Sequence, residues 1–176
     1  MFKEERENLR FSWSDLGDIE EGRPNLGGTT SVTVYRLMQY TMRDVLIQRY
    51  DPQTAGEIFF ESGRQAGKEF CANLLGRDLD FPAFVAQLQG MLKELGVGVL
   101  RLEETDLEKL RLTLAVYEDL DCSGLTNTDE TVCDYDEGFI AGILETYTGK
   151  PFQVKEVDCW ANGGRTCRFQ AEPLQG

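Results

Sequence analysis

Apolar residues in the first half of the chain recur with the three-to-four-residue spacing of amphipathic helices. This period predicts one helix from Val32 to Tyr50, and a second that begins at Pro52 and carries its apolar stripe to Leu74. A third helix is predicted from about Phe81 to Leu95, with Asp80 as its N-cap and Gly96 as the residue that ends it. Three consecutive helices are therefore expected before the first strand.

After residue 96 the pattern changes to the two-residue alternation of strands. Two antiparallel strands are predicted, one over residues 97–104 and one from Leu110 to Asp119. A fourth helix is predicted from about Val132 to Tyr147 with Thr131 as its N-cap, and residues 151–171 are predicted to form a hairpin. This order predicts an α+β fold, in which an antiparallel sheet of about four strands carries helices packed on one side.

The length of the chain and its lack of internal repeats predict a single domain over residues 1–176. A chain of this length can bury a core without disulfides to hold it together. Residues 1–10 are charged and are expected to be flexible. Residues 11–30 are rich in turn-forming residues, with a loop at residues 22–28.

The chain is strongly acidic. Lys and Arg total 18 against 31 Asp and Glu, which gives a formal net charge of -13. Such a surface repels phosphate backbones and anionic lipids, so we expect neither a nucleic acid nor a membrane as a partner. No apolar run reaches the ~18 residues of a membrane span, and the first residues lack an apolar signal core, so a cytoplasmic location is expected. The paired carboxylates Glu103-Glu104 and Asp134-Asp136 have no acid–base partner and are interpreted as a solvated face.

The absence of histidine narrows the chemistry that the chain can perform. It excludes Ser-His and Cys-His catalytic pairs, a haem with a histidine ligand, and a zinc site built with imidazole. The odd number of cysteines in a chain expected to be cytoplasmic favours metal ligation or reactive thiols over a disulfide framework. The five cysteines are Cys71, Cys122, Cys133, Cys159 and Cys167.

Two of these cysteines, Cys159 and Cys167, flank the turn of the predicted C-terminal hairpin. If residues 162–164 form a three-residue loop, the two cysteines face each other with Cβ atoms about 4.5–5.5 Å apart. That spacing suits two thiolates on one zinc ion, and it also suits a cross-strand disulfide. Glu156 lies three residues before Cys159, so strict alternation places it on the opposite face. A ligand role for Glu156 therefore requires a bulge or a strong twist between these two residues.

Cys133 is the natural third ligand, because it falls in the first turn of the fourth predicted helix, where the helix dipole favours a thiolate. Three thiolates and one carboxylate would form a closed tetrahedral zinc site of the structural type. A cross-strand disulfide and buried free thiols remain open alternatives at this point. Cys71 and Cys122 are interpreted as buried packing thiols.

The C-terminal half of the chain resembles the 4-vinyl reductase domain family. The resemblance is specific over residues 121–170 and weaker upstream, at residues 22–27 and Val34–Arg36. It is carried by a DCSGL element, a cysteine that opens a helix, a GF-x-AG motif and a hairpin with the pattern E-x-x-C-x-x-x-G-x-x-x-C-x-F. These are, in order, Asp121–Leu125, Cys133, Gly138–Gly142 and Glu156–Phe169.

The resemblance implies a metal site. The family includes the ligand-sensing domains of phenol- and xylene-responsive transcription activators, in which three cysteines and one glutamate hold a zinc ion near a buried pocket for an aromatic molecule. Transferred residue by residue, the resemblance implies that Cys133, Glu156, Cys159 and Cys167 bind a structural Zn²⁺ ion.

The resemblance also implies a function: binding or sensing of an apolar or aromatic small molecule between the long helices and the sheet, in a homodimer. The alternatives are an accessory protein or enzyme of tetrapyrrole (bacteriochlorophyll-type) metabolism, and a dimeric assembly module like the vesicle-tethering subunits that the fold resembles. No catalytic constellation is visible, and a closed zinc site leaves no open position for a substrate, so an enzyme is disfavoured. Phenol specificity does not transfer, because the sensors' pocket uses a histidine, and the ligand-binding residues stay unassigned.

Overall fold

The computed structural model describes residues 10–127 and 131–174. The flexibility expected for residues 1–10 therefore concerns, apart from Arg10, residues outside these ranges. Two 3-10 helices, Trp13–Leu16 and Trp160–Asn162, accompany the main elements. The main elements are α1 (Ile19–Gly22), α2 (Val32–Arg49), α3 (Pro52–Leu74), α4 (Phe81–Glu94), β1 (Val99–Asp106), β2 (Arg111–Tyr117), α5 (Asp134–Thr148), β3 (Phe152–Asp158) and β4 (Cys167–Pro173).

The helix starts follow the capping chemistry of the sequence, with one exception. The Asp51 side chain accepts a hydrogen bond from the Thr54 N–H at 2.9 Å, and the Asp80 side chain accepts one from the Ala83 N–H at 2.9 Å. The prediction of Thr131 as the N-cap of the last helix is wrong, because Cys133 occupies that position and makes no side-chain capping bond.

The four strands form one antiparallel sheet in the order β1-β2-β4-β3. The helices pack on one side of this sheet, which confirms the predicted α+β class. Strand β3 alternates buried and exposed residues, as expected for a sheet with one covered face. The core between helices and sheet includes Phe84, Ile143 and Phe169, each at most 2% exposed.

Helices α3 and α5 touch backbone to backbone through glycines. Gly63 and Gly67 of α3 face Gly138 and Gly142 of α5, and a Cβ atom added at any of the four would overlap a backbone carbonyl oxygen of the opposite helix. The predicted role of the GxxxG pair in close helix packing is confirmed. The contact also fixes the position of the start of α5, where Cys133 lies.

Helix α2 is attached to the rest of the chain largely by polar contacts, and its buried residue is Gln39. Its opposite side exposes large apolar side chains, among them Val34, Leu37, Met38 and Val45. Within residues 10–127 and 131–174, no helix combines the length and the apolar character needed to cross a bilayer.

Candidate metal centre and apolar cavity

Four cysteine sulfurs converge at the open end of the C-terminal hairpin. The Sγ atoms of Cys122, Cys133, Cys159 and Cys167 all lie within 4.8 Å of one another, and each side chain is at most 1% exposed. Cys133 Sγ lies 3.8 Å from Cys159 Sγ and 3.9 Å from Cys167 Sγ. A tetrahedral ion with 2.3 Å bonds to sulfur separates its ligands by about 3.8 Å. This buried four-cysteine cluster therefore has the dimensions of a site for one metal ion.

Three of the cysteines are placed by the ends of regular elements. Cys133 is the N-cap of α5, Cys167 opens β4, and Cys159 directly follows β3. The predicted three-residue turn is longer in the structure: Trp160–Asn162 form a 3-10 helix, and Asn162 Oδ1 accepts a hydrogen bond from the Cys159 N–H at 3.2 Å. All five cysteines are free thiols, so the structure does not contain the alternative cross-strand disulfide.

Cys122 is the member of the cluster that the sequence analysis did not assign. It lies in a buried turn in which Asp119 Oδ1 accepts hydrogen bonds from the N–H groups of Asp121, at 2.8 Å, and Cys122, at 3.0 Å. This turn brings the Cys122 Sγ atom to 2.9 Å from that of Cys167. The available signal was the DCSGL element itself, which carries a cysteine beside a carboxylate. Cys71, by contrast, is buried in α3 outside the cluster, as interpreted.

Glu156 meets the condition that the sequence analysis set for it. The register of β3 against β4 shifts between Glu156 and Asp158, which is the bulge needed to change the direction of the chain before Cys159. The side chain is 4% exposed, and neither carboxyl oxygen has a hydrogen-bond partner among the described residues. Burial, followed by the negative charge of Cys159, raises the pKa of Glu156 to about 9. The thiols of Cys133 and Cys167 also act on this carboxyl group, which places it beside the cluster, although it is outside the four-sulfur group.

The thiols differ in their affinity for protons. Hydrogen bonds from the other three cysteines of the cluster, that from Cys122 first, lower the pKa of Cys159. Hydrogen bonding with Cys122 raises the pKa of both Cys133 and Cys167. The cluster therefore stabilises one thiolate while its neighbours hold their protons. Binding of a metal ion must displace those protons, because thiolates rather than thiols ligate metals.

Three buried aspartates surround the cluster. Asp121 accepts hydrogen bonds from Tyr35 Oη at 2.8 Å and Gln39 Nε2 at 2.5 Å. Burial and then the charge of Asp121 raise the pKa of Asp119 to about 6, and burial raises that of Asp136 well above its usual range. The interpretation of Asp134-Asp136 as a solvated pair is wrong: Asp134 forms an ion pair with Arg43, and Asp136 Oδ2 is buried without a hydrogen-bond partner among the described residues.

An apolar cavity of about 50 Å³ lies between α4, α5 and the sheet. Asp119 and Asp136 are its polar lining residues, so the cavity borders the aspartates beside the cysteine cluster. Its walls come from α4 and α5 rather than from α3, whose aromatic residues the sequence analysis had expected at the pocket. A buried apolar cavity of about 150 Å³ admits a benzene-sized molecule, so a ring can enter here only if wall side chains move. The apolar walls include Phe84, Leu88, Leu114, Phe139, Ile140 and Ile143.

Comparisons with known proteins extend over this region. Residues 112–173 match the family model of the 4-vinyl reductase domain. An uncharacterised protein of Methanocaldococcus jannaschii is 23% identical over 145 residues, which cover 82% of this chain and 79% of the relative. The match to this relative therefore spans most of both chains.

Two solved structures share the fold. The phenol-responsive sensory domain of the transcription activator PoxR, solved with phenol, superposes with a TM-score of 0.67 at 15% identity, covering 82% of this chain and 75% of that one. A vinyl-4-reductase family protein from Methanocaldococcus jannaschii superposes with a TM-score of 0.62 at 17% identity, covering 97% of this chain and 99% of that one. The segment that carries β2, α5 and the cysteine hairpin, residues 112–173, is a 4-vinyl reductase domain, and the chain belongs to the family that its sequence resembles.

Proposed function

We propose that this protein is a small-molecule-binding or sensing protein that takes an apolar or aromatic ligand and carries a structural zinc ion. The observation that carries the proposal is the position of an apolar cavity directly beside a buried four-cysteine cluster within a 4-vinyl reductase domain. The PoxR sensory domain, which shares the fold, was solved with phenol. The described residues give the alternatives, a protein of tetrapyrrole metabolism and an assembly module, no comparable support.

The lining of the cavity supports an apolar ligand. Apart from Asp119 and Asp136 the walls are apolar, and burial of such surfaces stabilises a complex by about 25 cal/mol per Å². The cavity volume of about 50 Å³ implies that binding opens the wall between α4 and α5. Because the chain contains no histidine, its contact with the polar part of a ligand must differ from that of the phenol sensors.

The proposed zinc ligands are Cys133, Glu156, Cys159 and Cys167. The fit rests on the sulfur spacings near 3.8 Å and on the two buried carboxyl oxygens of Glu156, which have no hydrogen-bond partner among the described residues. Sulfur-rich tetrahedral sites favour zinc among the common divalent ions. The ion would join the start of α5, the end of β3 and the start of β4, which is a structural role.

A homodimer is the proposed assembly. The exposed apolar side of α2 is the surface proposed to face a second copy, since an apolar face on a chain with a net charge of -13 is suited to contact an equally apolar one. The five free thiols fit the proposed cytoplasmic location, where thiols stay reduced.

Binding can be tested by thermal shift and native mass spectrometry with phenol, toluene and a long-chain fatty alcohol. Val85 lines the cavity, so Val85→Phe should fill the space and abolish a ligand-induced rise in Tm. Ala86→Phe adds the same ring at the neighbouring exposed position and should leave that rise unchanged. The proposal fails if none of the compounds binds the wild-type protein, or if a folded Val85→Phe variant binds them as well as Ala86→Phe does.

A further inference from the structure

The proposed metal site contains more donor side chains than a zinc ion uses. Cys133, Cys159 and Cys167 are common to every arrangement, which leaves Cys122 and Glu156 for one remaining position. Structural zinc sites are almost always four-coordinate. The inference drawn from this surplus rests on the proposed zinc site.

Cys122 has the geometry of a ligand. Its Sγ atom lies 2.9 Å from Cys167 Sγ and 4.0 Å from Cys159 Sγ, and its side chain is fully buried. The 4.0 Å spacing is close to the edge of a tetrahedral zinc site, about 3.8 Å. The 2.9 Å spacing widens to that value with a small movement of the Cys122 turn. Glu156, although buried beside the cluster, lies outside the group of mutually close donor atoms.

Glu156 nevertheless has a reason to bind the ion. Both of its carboxyl oxygens are buried without a hydrogen-bond partner among the described residues, and an unsatisfied buried acceptor is costly. The bulge in β3 gives the segment that carries it local freedom that the regular ladder does not have. Two different side chains, held by two different segments, thus compete for one coordination position.

The two segments lead to different parts of the molecule. Glu156 belongs to the sheet, whereas the Cys122 turn is gripped by α2. Tyr35 Oη and Gln39 Nε2 donate to the Asp121 carboxylate, and Tyr40 Oη donates to the Asp121 carbonyl oxygen at 2.8 Å. Ligation by Cys122 would therefore link α2 to the ion through one short turn, and ligation by Glu156 would release that link.

We propose that Cys122 and Glu156 are interchangeable fourth ligands of the zinc ion. With Cys122 bound, the centre has four thiolates; with Glu156 bound, it has three thiolates and one carboxylate. Either residue alone completes the site, and removal of both leaves it one ligand short.

The test is X-ray absorption spectroscopy at the zinc edge together with zinc content for the wild type, Cys122→Ser, Glu156→Gln and the double variant. Zinc–sulfur bonds of about 2.3 Å are distinguished from zinc–oxygen bonds of about 2.0–2.2 Å. Glu156→Gln should keep one zinc per chain with four sulfurs, and Cys122→Ser should keep one with three sulfurs and one oxygen. The double variant should lose most of its zinc. Cys71→Ser, a buried thiol outside the cluster, is the matched control.

Loss of zinc from either single variant, or a Glu156→Gln centre with three sulfurs and a light ligand, overturns the interchange. If Glu156→Gln does not fold, Glu156→Asp withdraws the carboxylate by one methylene group and should shift the sulfur count towards four; an unchanged count overturns the proposal. These results differ from failure of the proposed zinc site itself, in which the wild type and the Cys71→Ser control would carry no zinc.

Discussion

Gly138 of α5 lies directly against the backbone carbonyl group of Phe60 in α3. A methyl group at position 138 would overlap that oxygen, and backbone atoms cannot swing aside as a flexible side chain can. The close approach depends on the absence of a side chain. It holds the start of α5, and with it Cys133, against the rest of the domain.

Gly138→Ala should therefore destabilise the protein by about 3 kcal/mol, the upper part of the usual range for overpacking a core. Equilibrium unfolding in urea measures this loss. Gly90→Ala is the control, because Gly90 is exposed in α4 and an added methyl group there would meet open space. That substitution should stabilise the helix by up to about 1 kcal/mol. Equal effects of the two substitutions would contradict the close packing of α3 and α5.

Removal of zinc should lower Tm, because a structural metal contributes its binding free energy to folding. Protein purified without chelator should carry close to one zinc ion per chain by mass spectrometric metal analysis. Cys133→Ser and Cys159→Ser should lose the metal and be destabilised by on the order of several kcal/mol. Cys71→Ser should keep the metal. Unchanged melting of both cluster variants would show that the site has no structural role.

Thiol counting separates the metal site from a disulfide. The structure contains free cysteines only, and the chain has five. Denatured protein, after chelation and without reductant, should therefore react with a thiol reagent at five positions per chain. A count of three would indicate one intact bridge, with Cys159 and Cys167 as the leading pair.

The sequence predicts the regular elements well because their signals are local. The helices from Val32, Pro52 and Phe81 depend on apolar period and capping residues within a few positions of each start. The start of α5 is the exception. Thr131 offers a capping hydroxyl, but Arg43 of α2 donates to the Val132 carbonyl oxygen at 2.8 Å and to the Asp134 side chain. A contact between distant segments thus overrides the local preference.

The site depends more on contacts between distant segments, and the sequence predicts it less completely. Alternation along β3 places Glu156 on the wrong face, and the bulge that corrects this arises from pairing with β4. Cys122 joins the cluster only because α2 holds its turn against the hairpin, 45 positions before Cys167. The family resemblance supplies the proposed ligands Cys133, Cys159 and Cys167, which the structure brings together, but not the fourth sulfur beside them.

The stability of the metal-free protein should fall as the pH rises. Burial raises the pKa of Glu156 from 4.5 to about 9 and that of Asp119 from 3.8 to about 6, so the folded state holds these protons more tightly than the unfolded chain does. Their stabilising contribution is complete below the unfolded pKa values and is lost as the pH rises through the folded ones. Tm of chelated protein should thus decrease between about pH 5 and pH 9.

Glu156→Gln is the control for this pH dependence, since the amide does not titrate. The variant should lose most of the slope above about pH 6, where the Asp119 contribution has ended. A metal-free wild type whose Tm rises over the same range would contradict the raised pKa of Glu156.

The exposed apolar side of α2 gives the last prediction. Val34, Met38 and Val45 lie on one side of the helix and are 59%, 60% and 53% exposed. If this side faces a second copy, Met38→Glu and Val45→Glu place buried, like charges on both sides of the symmetric contact and should convert the dimer to a monomer. Light scattering coupled to size-exclusion chromatography measures the change. Zinc content should stay the same, because neither residue contacts the cysteine cluster.

Ala86→Glu, at an exposed position of α4, adds the same charge elsewhere and should leave the mass unchanged. A wild-type protein that is monomeric at high concentration would exclude the proposed dimer. A dimer that survives both α2 substitutions would place its interface on another surface. In that case the link from the cysteine cluster through the Cys122 turn to α2 would end at a helix that does not contact the partner subunit.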